Sequence, residues 1–301
     1  MARRAASALA CLTLVAAITA TPATATTAPP FEGTVWIGPN IITPASPSDL
    51  LSTEPTGRGY RTTYDRRSGW VTQDSYLFIA RFTGSKPAEI IVDPEFGSQD
   101  AAATQAGFFA RILGQLPRGC RTQVDALWIH SGNESLGGGN RSILIHSNFA
   151  NGDRAFLEEG LLHECTHTSL DWDWGGTVER AKWAAQVARD PGFISTYAGD
   201  NPKSEDVAET FVPYLAWKLG AASGYTAAQL AAISQQIPNR LNYLDSLALD
   251  LAPLIAAEPS TTPKIRPGSA CKKAFIGHTF TTVKFGTLTC RQGANSIRWR
   301  R

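Results

Sequence analysis

The sequence predicts an α+β fold: a strand-rich first half, a helical second half and a small β-type module at the end. Three observations predict it. Apolar, β-branched and aromatic runs recur between residues 71 and 148. From Asp153 onward the apolar residues take helical spacing. A Pro-, Ser- and Thr-rich stretch, EPSTTPKIRPGS, then sets off a tail of different charge.

The first 25 residues stand apart from the fold. Arg3 and Arg4, an apolar run from Ala5 to Ala20 and the site Ala23-Thr24-Ala25 read as a secretory signal peptide. That run is too short and alanine-rich for a membrane anchor, and no other stretch is long and apolar enough to span a bilayer. Export permits disulfides. Cys11 leaves with the signal, and Cys120, Cys165, Cys271 and Cys290 remain, with three possible pairings. Cys271 with Cys290, the nearest in sequence, would staple the tail and leave Cys120 to Cys165.

Within the body, 26–257, VTQDSYLFIARF and AEIIVD read as strands. DAAATQAGFFARILGQL is a helix ending near Pro117. VDALWIHSG and RSILIHSN read as two further strands joined by the Gly-rich NESLGGGN. Asp153 is the expected cap of the next helix, with Glu158 and Glu159 in its early turns. TVERAKWAAQVARD is another helix, stopped by Pro191-Gly192. A helix from near Ser204 to Gly220 carries Pro213, where a kink is expected. Thr226 and Gln229 form a capping-box pattern opening one more. Residues 258–268 are a linker and 269–301 the terminal module.

Charge divides along the same line. Residues 26–258 hold 17 Lys and Arg against 26 Asp and Glu; the tail beyond Glu258 holds nine bases and no acid. An acidic body and a basic tail point to a module that meets an anionic surface, here an envelope polymer rather than nucleic acid.

The chemistry concentrates in LEEGLLHECTHTSL. His163 and His167, four apart on a helix, present both imidazoles on one face, a spacing that suits two ligands of one zinc. Glu164 can reach a water at such a metal without binding it, the position of a general base. Cys165 points away from the histidines, a scaffold residue. A third ligand is needed. Asp173 would follow from the H-E-x-x-H-x-x-G-x-x-H/D pattern, but Leu170 stands at the glycine position and the only methionine, Met1, leaves with the signal. Glu205, in SEDVAETF, is the other candidate, with Glu209 one turn on to hold the spare N–H of His163 or His167. His130 and His146 fall in strand-like runs and read as strand side chains. Glu159 could support His163 or simply open the helix. Asp171 and Asp173 read as caps.

HECTH followed by a helix bearing E-x-x-x-E resembles the gluzincin branch of zinc peptidases. STYAGDNPKSEDVAETF is similar to its lethal-factor-like group, in which a Tyr-Gly pair shortly precedes an E-x-x-A-E-x-F ligand helix; here Ala198 intervenes before Gly199. The resemblance covers roughly residues 124–217. It implies a zincin-like domain over 26–257, zinc on His163, His167 and Glu205, Glu164 as catalytic base and Tyr197 assisting the oxyanion. The expected function is a secreted zinc metalloendopeptidase acting on extended peptide or protein segments, with substrate adding to RSILIHSN. The alternative is a non-catalytic envelope-binding protein with a structural or degenerate zinc site; a third is hydrolysis of another amide, such as a wall peptide.

Overall fold

The computed structural model describes residues 27–36, 41–152, 154–256, 266–271, 273, 276–277, 279–282, 286–293 and 296–301. The expected signal peptide with Cys11, the expected cap Asp153, linker residues 258–265 and Lys264, Lys272 and Lys284 lie outside them.

A long antiparallel hairpin opens the fold. Strand β1 (Leu50–Asp65) pairs with β2 (Gly69–Phe82), and β2 with β3 (Ala88–Val92). β1 escapes sequence reading because it is a mostly exposed edge strand, LLSTEPTGRGYRTTYD. Its Pro55 is tolerated beside a register shift that falls between Pro55 and Gly57. A short 3-10 turn and helix α1 (Gln99–Gln115) follow, the helix capped by the Ser98 hydroxyl, which accepts from the Ala101 amide. Phe109, Ile112 and Leu113 of α1 are buried against the sheet, each contributing roughly 1.5–3 kcal/mol. After α2 (Arg118–Arg121), β4 (Ala126–His130) runs parallel to β3.

The next stretch corrects the sequence reading. β6 (Ser142–His146) is parallel to β4, and the Gly-rich connection itself supplies β5 (Gly137–Gly139), antiparallel to β6. Asn140 and Arg141, both at positive φ, close the two-residue turn between β5 and β6. The order is β1-β2-β3-β4-β6-β5, so RSILIHSN is interior and the free edge falls on the glycines.

Helices then take over: α3 (Ser147–Gly152), α4 (Arg154–Ser169), α5 (Arg180–Val187), α6 (Thr196–Asp200), α7 (Asp206–Leu219), α8 (Ala227–Gln236) and α9 (Pro238–Ser246). In α4, Leu157, Leu161 and Cys165 recur every four residues and are buried in the core. His163 and His167 recur on the opposite side, about 200° round. Cys165 pairs with Cys120, tying α4 to α2. α7 continues through Pro213, where a kink was expected, and Glu205 sits just before it as its N-cap. α6 and α9 were not anticipated; the capping box of α8 is present.

The tail forms a separate antiparallel sheet, β7 (Thr279–Thr282), β8 (Gly286–Gln292) and β9 (Ile297–Arg300). Leu288, Cys290 and Trp299 make its small core, and Cys271 is bonded to Cys290.

Two polar clamps position the rest. At the β1–β2 tip, Asp65 Oδ1 lies 3.1 Å from His146 Nε2, and Arg67 reaches both Asp65 (2.9 Å) and Glu95 (2.8 Å). His130 Nδ1 lies 2.8 Å from Asp93. Burial pushes the Asp65 carboxyl up, but hydrogen bonds from Arg67 outweigh it and hold the group well below the usual carboxylate range. His146 thus ties the end of β6 to the hairpin tip, while His130 meets Asp93 after β3 and, with Glu95, forms a second group of possible metal ligands. The second clamp is the fully buried Arg240, which donates to Asp190 (2.8 Å), to Asp206 and to the Gly192 carbonyl. Burial pushes Asp206 up against the pull of Arg240, so an intact triad contributes little net stability while a broken one strands charge. Arg240→Ala is expected to lower unfolding stability by about 3–5 kcal/mol. Urea denaturation checks this, and a loss below about 1 kcal/mol would contradict the clamp.

Candidate metal centre

Helix α4 brings the His163 and His167 Nε2 atoms to 3.1 Å from each other. Glu205 Oε2 lies 3.2 Å from each of them. The far nitrogens face carboxylates: His163 Nδ1 lies 3.3 Å from Glu209 Oε1, and His167 Nδ1 3.5 Å from Asp171 Oδ2. Those partners favour the Nδ1–H tautomer, which turns both Nε2 lone pairs toward Glu205. Three electron pairs aimed at one point need positive charge between them. The triangle matches a tetrahedral zinc, whose 2.0–2.1 Å bonds set ligand atoms about 3.3 Å apart. The donor set, two imidazoles and a carboxylate, is also that of a zinc site.

Protons can fill the same place. Burial pushes both imidazoles down, but hydrogen bonds donated to Glu205 and Glu209 bring His163 up to about 9, and those donated to Asp171 and Glu205 bring His167 up to about 10. A metal entering here therefore displaces protons. The histidine side chains remain 12% exposed, enough for entry from the adjoining cleft.

That cleft has a volume of about 430 Å³ and takes in both histidines, Glu164, Glu205 and Tyr197. Glu164 lines it without joining the triangle, as a base beside a metal would. Tyr197, on α6, is 36% exposed. Burial raises its hydroxyl, and Glu205 and the other carboxylates raise it further, so it stays protonated at neutral pH. Asp173, the rival third ligand, lines the cleft but is not in the cluster; Glu205 is. The opposite wall is β5. A Cβ at Gly138 would run into the Glu164 carbonyl, so only glycine lets the strand lie this close to α4.

The N-terminal stretch is built into the site as well. Phe31 bridges to Ser195, and the Val35 amide donates to Glu209 Oε2 at 2.9 Å. The Ser195 hydroxyl donates to the same oxygen at 2.6 Å. Glu209 is therefore fixed on one oxygen by two donors while the other faces His163.

His163, Glu164, His167, Tyr197 and Glu205 thus line one cleft, with Glu209 buried behind His163, and His130 and His146 are not in its lining. The Nδ1 of His163 is faced by Glu209. Three contributors were not read from the sequence. Asp171 does two jobs: it caps the turn Trp172–Trp174 and faces His167, four residues back. That i, i+4 spacing was its available signal. Ser195 and the Val35 amide have no such signature. Comparison with protein-family models, curated proteins and solved structures found no match.

Glu209→Ala should weaken zinc binding about 10–100-fold with the fold intact. Competition with a chromophoric chelator measures this, and unchanged affinity would remove Glu209 from the site.

Proposed function

We propose that the protein is an exported zinc-dependent endopeptidase with a zincin-like body. The observation that supports this most is the triangle of His163, His167 and Glu205 with Glu164 beside it in an open cleft. Those three residues would hold zinc, which supplies a Lewis acid that acidifies water and polarises a carbonyl. Glu164 takes a proton from the attacking water and returns it to the leaving amine. Tyr197 donates its hydroxyl to the developing oxyanion. Glu209 and Asp171 hold the imidazoles in orientation. The edge strand β5 would receive substrate as an added strand, which favours peptides in extended form.

Export rests on the signal-like first 25 residues, and the two cysteine pairs are compatible with it. Among the described residues no helix is long and apolar enough to cross a membrane. The tail would bind an anionic envelope polymer. Arg291 and Arg298 face each other directly across β8 and β9, with no acid after Glu258 to offset them. Like charges opposite one another destabilise a ladder, and an anionic partner relieves them.

The purified mature protein should carry zinc near one per chain, and Glu164→Gln should keep that zinc while cleavage of a peptide library falls at least about 100-fold. Turnover retained in that variant would refute the mechanism. Deleting residues 259–301 should release the protein from isolated envelopes at low salt, where charge attraction is least screened. Equal retention of the shortened and full chains would refute the role of the tail.

A further inference from the structure

We propose that a corner of aromatic rings beside the cleft binds an aromatic side chain of the substrate, and so sets specificity. This rests on the peptidase reading. Tyr64, Trp70, Trp128 and Trp174 line a pocket of about 230 Å³ around the β5 backbone. Arg66, Gly137, Gly138 and Trp174 line both this pocket and the cleft of the metal centre, so the two form one groove. A chain added to β5 would pass along both.

Three of the four rings are exposed, and Trp128 is half-buried. Trp70 is 61% exposed, Trp174 46% and Tyr64 36%. Tyr64 and Trp70 are register partners, so a cross-strand contact that steadies the hairpin explains those two. It does not explain Trp174, which comes from the turn after α4 and lies over β5 from the helical side. A Cβ at Gly139 would stand 2.6 Å from the Trp174 indole. One at Gly137 would meet Arg66 Nη2 at 3.1 Å and Leu144 at 3.5 Å. The glycines thus leave a floor without side chains between rings that arrive from two halves of the fold.

Ring geometry selects the occupant. Tyr64 and Trp70 meet at 69° with centroids 5.4 Å apart, and Trp70 and Trp128 at 73° and 5.7 Å. Rings set edge to face make a corner, where one further aromatic ring finds both a face and an edge. A sugar polymer would want open, coplanar ring faces.

The test uses the zinc-supplied, non-cleaving Glu164→Gln full-length mature chain. Calorimetry compares a blocked alanine-based hexapeptide with six versions carrying one phenylalanine at each position in turn. One position should gain about tenfold in affinity. Trp70→Ala should bring that ratio to about one, while Tyr60→Ala, an exposed ring outside the pocket, should leave it in place. No gain at any position, or a gain that survives Trp70→Ala, overturns the proposal. So does tighter binding of an N-acetylglucosamine hexasaccharide than of every peptide. If the preference is found but chains with Glu164 intact cleave none of the peptides, the pocket stands and the peptidase reading falls.

Discussion

One guanidinium holds the candidate metal centre in register. Arg240 is fully buried and reaches Asp190, the Gly192 carbonyl and Asp206. Asp190 and Gly192 open the segment that carries Ser195 and Tyr197; Asp206 closes it, next to Glu205. Trp183 adds a second hold, its indole N–H donating to Asp206 at 2.7 Å. A ligand set tolerates errors of only about 0.5 Å. The two histidines obtain that precision from one helix. Glu205 is some forty residues away and precedes its helix, so it depends on a neighbour pinned in the core. Buried charge adds little net stability, and here it fixes a position.

The other wall of the cleft depends on the opposite half of the fold. The hairpin tip is fastened to the ends of β4 and β6 through Asp65, His146 and Arg67, and Arg66 next to it donates to the carbonyls of Ser135 (2.9 Å) and Leu136 (2.6 Å) just before β5. That places the free edge strand and the exposed rings of the hairpin on one groove. Gly138 does the remaining work by letting β5 touch the backbone of α4 at Glu164. The helical half therefore supplies the reactive groups and the sheet half supplies the surface a substrate would meet.

What could be read from the sequence follows from how local each signal is. HECTH carries its geometry in five residues, and so does the pair Glu205 and Glu209. The α4 core face and the α8 capping box are equally local. β1 was hidden because an exposed edge strand has no apolar alternation. β5 was hidden because three glycines carry no pattern at all, and its absence moved the expected cleft edge onto β6. The Val35 strap works through a backbone amide, which any residue offers. Asp171 looked like a cap because it is one. The aromatic corner draws on residues 64 to 174, and only the fold gathers them.

Whether protons or a metal suit the triangle turns on its shape. Two protonated imidazoles could each donate to Glu205, but that sets two positive rings with nitrogens 3.1 Å apart. Their mutual repulsion acts against the raised values of both, and it is already felt at His163, where the neighbouring ring pulls the value down. A divalent cation would remove that conflict: both rings would be neutral, all three acceptors would meet one charge, and the Nδ1 protons would stay in place, facing Glu209 and Asp171. Four carboxylates, Glu164, Asp171, Glu205 and Glu209, stand around this place. Three of them face the histidines: Glu205 both Nε2 atoms, Glu209 the Nδ1 of His163 and Asp171 that of His167. Of the four, Glu164 lines the cleft without joining the triangle or facing a histidine Nδ1, the position a general base requires.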